Sequence, residues 1–162
     1  MAQPIFIFKV ALAGRKSIWR KIALRGDDTL DDLHEMIFDA FDRDDEHLYS
    51  FYFPRPGGKT SSRLRMRDGV EYACPHMAPM ADPFYDFNAL NAAETKLAEL
   101  KLRPKQVFYY LFDYGDEWWH EITVEDVDAP AAKDKYPCVV ESRGKSPPQY
   151  PDLEDEEDDE DE

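Results

Sequence analysis

Aromatic and β-branched residues alternate with polar ones most clearly around a short Asp-Tyr-Gly-Asp segment in the C-terminal half. This pattern predicts strands over about 106–113 and 117–126, joined by a tight turn that contains a glycine. Because successive strand residues point to opposite faces, His120 shares its face with apolar side chains, and Trp119 lies on the other, exposed face. The apolar neighbours of His120 are Trp118, Ile122 and Val124. Any chemistry in this chain is expected near His120 and the acids of the turn.

The N-terminal residues have strand composition in two adjacent runs, 5–12 and 17–25, with a Gly-containing turn between them. A hairpin is the simplest arrangement of such a pair. Arg20 falls on the otherwise apolar face of the second run. If buried, its guanidinium needs a carboxylate partner, and the alternative is an edge position from which the side chain reaches solvent.

A helix is predicted over about 30–42, because Leu and Phe recur there at helical spacing. Thr29 and Asp32 resemble a capping box at its start. The apolar positions are Leu30, Leu33, Ile37, Phe38 and Phe41. An acidic loop ends this helix, and a third strand is predicted over 47–53.

A second helix is predicted from Asn91 to about Arg103, closed by Pro104. The apolar stripe consists of Ala93, Leu97 and Leu100. The order β-β-α-β, followed by a helix and a β-hairpin, predicts an α+β fold with a mostly antiparallel sheet and two helices. We expect this fold to occupy one domain over residues 1–148.

The formal charge of -15 is concentrated at the C-terminus. Residues 152–162 contain ten acids among eleven residues, so the rest of the chain is only mildly acidic. Residues 149–162 are therefore predicted to form a disordered acidic tail, because they cannot bury enough apolar surface to become ordered. Such a tail is typical of a solubilising appendage or a partner-binding arm.

The two cysteines, Cys74 and Cys138, are far apart and form no CxxC pair, which excludes a cysteine-rich zinc site. No apolar run approaches the length of a membrane span, and the N-terminus does not resemble a secretory signal. We therefore expect a soluble cytoplasmic protein without membrane contact.

A basic stretch from residue 55 to residue 67 contains no acid. Its bases are Arg55, Lys59, Arg63, Arg65 and Arg67. The favoured interpretation is a solvated loop. The alternative is a surface that follows a phosphate backbone or binds another partner.

Histidines and aspartates provide the candidate chemistry. The candidate metal ligands are His34, His47, His120 and Asp113, and the candidate catalytic residues are Asp113, Asp116 and His120. Imidazole and carboxylate suit zinc, iron or manganese, and a metal-bound water would support hydrolysis. The favoured alternative is structural: His34 and His120 as hydrogen-bonded core residues, His47 as a strand cap, and the two aspartates as acceptors in the turn.

Three blocks of the chain resemble the plasmid pRiA4b ORF-three-like domain. They are residues 17–22 (Ser-Ile-Trp-Arg-Lys-Ile), residues 29–51, which begin Thr-Leu-Asp-Asp-Leu-His, and residues 112–122 (Phe-Asp-Tyr-Gly-Asp-Glu-Trp-Trp-His-Glu-Ile). Their order and spacing match over roughly residues 5–148. All the candidate histidines and aspartates lie inside these blocks.

The chain departs from the family pattern at a few positions. Asp42-Arg43 replaces a family Gly-Trp pair, Ser146 takes the place of a second cysteine, and Gln149 takes the place of an acid. The resemblance implies a fold and an association with plasmids or mobile elements, without an agreed biochemical activity.

The sequence therefore supports three functional hypotheses. The first is a non-enzymatic intracellular binding module with an unidentified protein partner and no cofactor, which uses Trp119, the basic stretch and the tail. The second is a metal-dependent hydrolase that uses the His and Asp candidates. The third is a nucleic-acid accessory protein that binds through the basic stretch.

Overall fold

The computed structural model describes residues 4–43, 47–54, 70–75, 90–113, 117–130 and 135–147. Within these residues, one α-helix packs on one eight-stranded sheet. The strands are β1 (Ile5–Leu12), β2 (Arg15–Arg25), β3 (Tyr49–Phe53), β4 (Val70–Ala73), β5 (Leu90–Asn91), β6 (Val107–Phe112), β7 (Trp118–Ala129) and β8 (Cys138–Arg143). The helix α1 spans Leu30–Ala40, between β2 and β3.

The sheet has the order β5-β4-β3-β6-β7-β1-β2-β8. Consecutive strands form the predicted hairpins β1–β2 and β6–β7, which confirms both. The two hairpins join side by side, because β1 also pairs with β7. Strands β4 and β5 run parallel, so the sheet is mixed. The fold prediction of a mostly antiparallel sheet with two helices is therefore wrong, since the described structure is mostly strand with one α-helix.

The predicted second helix is replaced by two short 3₁₀ turns, Ala92–Glu94 and Leu97–Leu100. Thr95 between them is extended, and its carbonyl accepts a hydrogen bond from the Leu30 amide at 3.0 Å. The Leu97 amide donates to the Asp28 carbonyl at 2.9 Å. These backbone bonds attach the segment to the start of α1, and they outweigh the weak helical preference of a narrow apolar stripe. None of the described helices is both long enough and apolar enough to cross a membrane.

The predicted first helix and its capping box are confirmed. The Asp32 amide donates to Thr29 Oγ1 at 3.2 Å, and the Thr29 amide donates to Asp32 Oδ2 at 2.8 Å. Leu30, Leu33 and Ile37 are fully buried against the sheet, and each such side chain stabilises the fold by about 1.5–3 kcal/mol. The sheet side of this core is rich in aromatic residues, which include Phe8, Phe51, Phe108, Tyr110 and Phe112.

The C-terminal end of α1 is held by Arg20, which is buried. Its Nε donates to the Ala40 carbonyl, and its Nη1 donates to the carbonyls of Trp19 and Arg143, all at 2.9 Å. A cation at this end of a helix is favourable because the helix dipole is negative there. The partners of the Arg20 guanidinium are therefore backbone carbonyls, whereas the sequence analysis expected a carboxylate or solvent.

Candidate functional site

A cavity of about 440 Å³ lies between the start of α1, the start of β3 and the end of β4. Its described lining residues are Asp31, His34, Glu35, His47, Leu48, Tyr49, Cys74 and Pro75. This volume is in the range of small-molecule sites in proteins. The cavity contains two of the candidate histidines, so it is the first place to look for binding chemistry.

His34 forms one wall of the cavity and is only 3% exposed. Its ring stacks on Tyr49 with 3.8 Å between the ring centroids and 10° between the planes. Its Nδ1 is 2.6 Å from the hydroxyl of Tyr110, which is fully buried. The helix places His34 on the border of its apolar face, which is why one ring nitrogen points into the core.

The Tyr110 hydroxyl determines which nitrogen of His34 carries the proton. Burial raises the pKa of Tyr110 well above its ordinary value, so the phenol stays protonated. If His34 Nδ1 were the donor, the phenol hydrogen would be left buried with no acceptor among the described residues, which is costly. Tyr110 is therefore the donor, and His34 carries its hydrogen on Nε2. Burial, and to a lesser extent the charge of Arg43, lower the pKa of His34 to about 3, so the ring is neutral at physiological pH.

Two carboxylates one helical turn apart face the same cavity. Asp31 Oδ1 accepts a hydrogen bond from the Tyr49 hydroxyl at 2.5 Å. Glu35 Oε1 lies 3.9 Å from His34 Nε2, which is too far for a hydrogen bond. No lysine or arginine is among the described lining residues. The described wall therefore carries negative charge.

His47 and Asp113 meet at the edge of the cavity. His47 Nε2 is 3.5 Å from Asp113 Oδ2, and His47 is the more exposed of the two. Asp113 has a left-handed backbone with φ of 65°, a conformation that aspartate tolerates better than most residues. Its amide donates to the Leu48 carbonyl and its carbonyl accepts from the Glu117 amide. Asp113 thus combines a structural role at the hairpin end with a side-chain contact to His47.

His120 lies in a separate, closed environment and is fully buried. Its Nε2 is 2.9 Å from Arg43 Nη2, and its Nδ1 is 3.3 Å from the Tyr110 carbonyl. Because a guanidinium can only donate, Nε2 is the acceptor and the hydrogen is on Nδ1. Burial, followed by the charge of Arg43, lowers the pKa of His120 well below its ordinary value. Protein groups occupy both ring nitrogens, which leaves no lone pair for a metal in this arrangement.

Arg43 itself is buried, and its Cζ lies 5.1 Å from the ring centroids of both Phe112 and Trp118. Within the described residues, its Nε and Nη1 and the indole Nε1 of Trp118 are buried without an acceptor. Desolvation lowers the pKa of this guanidinium to about 10. The aromatic faces provide cation–π stabilisation in place of a carboxylate.

The other candidate residues lie away from the cavity or outside the described structure. Trp119 is half-buried rather than exposed: its ring lies 5.5 Å from that of Tyr52, and its Nε1 donates to Glu117 Oε1 at 3.3 Å. The residues that the structure does not describe are Asp116, Arg55, Lys59, Arg63, Arg65, Arg67 and the tail 149–162. In the described ranges, no three His, Cys, Asp or Glu side chains form a group that would hold a metal ion.

Sequence reasoning missed four residues of this region: Asp31, Glu35, Tyr49 and Tyr110. The only available signal was the spacing of Asp31 and Glu35, three residues before and one residue after His34 on a helix. Tyr49 and Tyr110 have the pattern of ordinary core aromatics. Their hydroxyl partners, Asp31 and His34, lie on α1, 18 and 76 positions away along the chain.

Comparisons with known proteins agree with the fold and leave the activity open. No curated protein matches this chain. A solved structure of a protein of unknown function from Methanosarcina mazei Go1 is similar to it, with a TM-score of 0.67 and 20% sequence identity. That similarity covers 92% of this chain and 74% of the other, and at this identity it shows the fold alone. The family model described as plasmid pRiA4b ORF-3-like protein matches residues 4–154. The chain therefore belongs to the plasmid pRiA4b ORF-3-like protein family.

Proposed function

We propose that this protein is a non-enzymatic binding module whose cavity receives a cationic group from its partner. The observation that carries the proposal is the cavity wall formed by α1, where Asp31 and Glu35 flank the neutral ring of His34. A cation that enters gains two carboxylates and meets no lysine or arginine among the described lining residues. The family description supports an association with plasmids, and the proposed module acts in the cytoplasm.

The contacts around the cavity support binding rather than hydrolysis. His34 and Tyr49 line the cavity and stack on each other, so both rings are held in place before a ligand enters. Asp31 is already engaged with the Tyr49 hydroxyl, which fixes the orientation of its carboxylate. A pre-oriented acceptor loses less conformational entropy when a ligand binds. His120, the candidate catalytic histidine, contacts Arg43 and Tyr110 and does not line the cavity.

The test is a titration of ¹⁵N-labelled protein at constant ionic strength with putrescine, L-alanine amide and the uncharged N-acetyl-L-alanine amide. We expect the two cations to shift the backbone amide signals of Asp31, Glu35 and Tyr49, and the neutral compound to leave them in place. Glu35→Gln should weaken the binding of both cations by about three- to fivefold, because an ion pair at a half-exposed site contributes up to about 1 kcal/mol.

Asp39→Asn is the matched control, since Asp39 is an exposed carboxylate on the same helix that does not line the cavity. Asp39→Asn removes one negative charge, as Glu35→Gln does, but leaves the carboxylate of Glu35 in the cavity. Equal weakening by Asp39→Asn and Glu35→Gln would show that only the general field of the acidic protein attracts the probes. Cations that bind no better than the neutral compound would contradict the proposal directly.

A further inference from the structure

The donor and the acceptor on the cavity wall are separated by a distance that selects among cations. His34 presents Nε2–H, and the nearest described carboxylate oxygen, Glu35 Oε1, is 3.9 Å away. At this separation the two groups do not satisfy each other. His34 is only 3% exposed, and its ring is fixed by stacking and by Tyr110, so its Nε2–H has a defined direction. The wall thus offers one hydrogen-bond donor beside one anionic acceptor.

A ligand that satisfies both groups must carry a cationic N–H and a hydrogen-bond acceptor about as far apart as the two protein atoms. In a free α-amino terminus, the ammonium nitrogen and the carbonyl oxygen of the same residue are separated by three bonds and lie about 3 Å apart. In a lysine side chain, the ammonium is separated from the backbone carbonyl by the whole aliphatic chain. The spacing therefore fits an amino terminus better than a basic side chain.

Resting on the proposed function, we infer that the cavity captures the free α-amino terminus of a peptide or protein chain. The ammonium is held by Glu35 with Asp31 nearby, and the first carbonyl oxygen accepts a hydrogen bond from His34 Nε2–H. Glu35 also has other contacts, which is compatible with this role because a carboxylate can accept about four hydrogen bonds. The remaining volume of the cavity, next to Tyr49 and Cys74, receives the first side chain.

Tyr110 is the positioning residue for this recognition. It does not line the cavity, but its hydroxyl occupies His34 Nδ1 and so keeps the hydrogen on Nε2. Removal of that hydroxyl would allow the other tautomer, which presents a lone pair to the cavity instead of a donor. A lone pair and a carbonyl oxygen repel each other, so recognition of the carbonyl depends on this buried contact.

The experiment compares three probes by NMR titration of the wild-type protein: L-alanine amide, L-alanyl-L-alanine amide and sec-butylamine. The last has the same ammonium-bearing carbon and a similar size but lacks the carbonyl. We expect both amides to bind about five- to tenfold more tightly than sec-butylamine, the gain of one neutral hydrogen bond. The His34 Nε2 resonance should move with the amides and stay in place with the amine.

The double variant His34→Phe/Tyr110→Phe tests the assignment of the donor. It keeps an aromatic ring against Tyr49 and removes the phenol that would otherwise lose its acceptor. We expect its affinities for the amides and for sec-butylamine to become equal. If this variant does not fold, the donor is tested in the wild type alone, by the ratio of the affinities for the amides and for sec-butylamine and by the response of the His34 Nε2 resonance.

The experiment distinguishes a failure of the amino-terminus inference from a failure of the proposed cation site. Equal affinity of sec-butylamine and the amides for the wild type would overturn the capture of an amino terminus and leave the cation site intact. Binding of none of the cations would overturn both proposals. Tighter binding of N-acetyl-L-alanine amide than of L-alanine amide would also contradict both, because the acetylated compound lacks the charge.

Discussion

His34 and His120 are both buried, neutral histidines that contact Tyr110, yet their surroundings differ in one respect. The protein occupies both nitrogens of His120, through Arg43 Nη2 and the Tyr110 carbonyl. Among the residues that the structure describes, only Nδ1 of His34 has a hydrogen-bond partner, and Nε2 lies on the cavity side, beside Glu35. A buried histidine is therefore a candidate for binding only when one of its nitrogens is directed toward a cavity. By this criterion His120 has a structural role in the core, and His34 is part of the candidate binding site.

The largest effect is expected from His120→Ala. The substitution leaves a cavity in the core and removes the acceptor of a buried guanidinium, and together these cost about 3–5 kcal/mol of the free energy of unfolding. Urea denaturation measures the loss. His47→Ala is the control, because His47 is on the surface side of the site, and its effect should stay below about 1 kcal/mol. Comparable losses in the two variants would contradict the assignment of His120 to the core.

Acid should destabilise the protein through both histidines. The unfolded chain takes up a proton on each histidine as the pH falls through 6.5, whereas the folded pKa of His34 is about 3 and that of His120 is also lowered. The unfolded state therefore binds more protons, and stability falls as the pH drops from about 6.5 toward 3. His34 should contribute about 2 kcal/mol of loss between pH 7 and pH 5, and His120 should add a loss in the same direction.

The double variant His34→Phe/Tyr110→Phe isolates the share of His34 in this acid effect, because the ionisable carboxylates remain the same. Its free energy of unfolding should fall by about 2 kcal/mol less than that of the wild type between pH 7 and pH 5. Parallel pH profiles for the two proteins would show that His34 is protonated in the folded state and would contradict a buried neutral ring.

Tyr110→Phe alone should have a smaller effect on stability and a specific effect on His34. The loss of the phenol removes one buried hydrogen bond, at a cost of about 1–2 kcal/mol in the free energy of unfolding. His34 Nδ1 then has no partner in the core, so both tautomers become populated. Long-range ¹⁵N–¹H correlation spectra report the tautomers of His34 and His120 separately. A shift in the His120 tautomer of similar size would contradict the separation of the two environments.

The smallest stability effect is expected from Glu35→Gln. Glu35 is exposed, with 52% of its side chain accessible. The free energy of unfolding, measured by thermal denaturation, should therefore change by no more than a few tenths of a kcal/mol. The cation affinity should nevertheless fall, as described for the proposed function. A large loss of stability would mean that Glu35 has a structural role in the fold and would contradict its assignment as a ligand-binding residue.

Local patterns predicted the local elements of this fold. Alternation predicted both hairpins, and the Thr29 and Asp32 pair predicted the start of α1. The same approach failed at residues 91–103, where tertiary backbone bonds to Asp28 and Leu30 replace a helix. The helical stripe there was narrow, so little packing energy opposed those bonds.

The candidate site was predictable only in part. The sequence identified His34 and His47 as residues of interest, and both line the cavity. The sequence analysis also grouped His34 and His47 with His120, which does not line the cavity. Strand alternation shows which face of a sheet a residue is on, but it does not show which residues lie next to it there. The roles of Tyr110 and Arg43 depend on contacts between residues 76 and 77 positions apart. Such contacts leave no periodic signal in one sequence.

The most direct test of the account is a long-range ¹⁵N–¹H spectrum of the histidine rings at pH 7, recorded without and with L-alanyl-L-alanine amide. We predict that His34 is neutral with its hydrogen on Nε2, that His120 is neutral with its hydrogen on Nδ1, and that the peptide moves only the His34 Nε2 resonance. A His34 ring with its hydrogen on Nδ1, or a His120 resonance that responds to the peptide while His34 does not, would contradict the account.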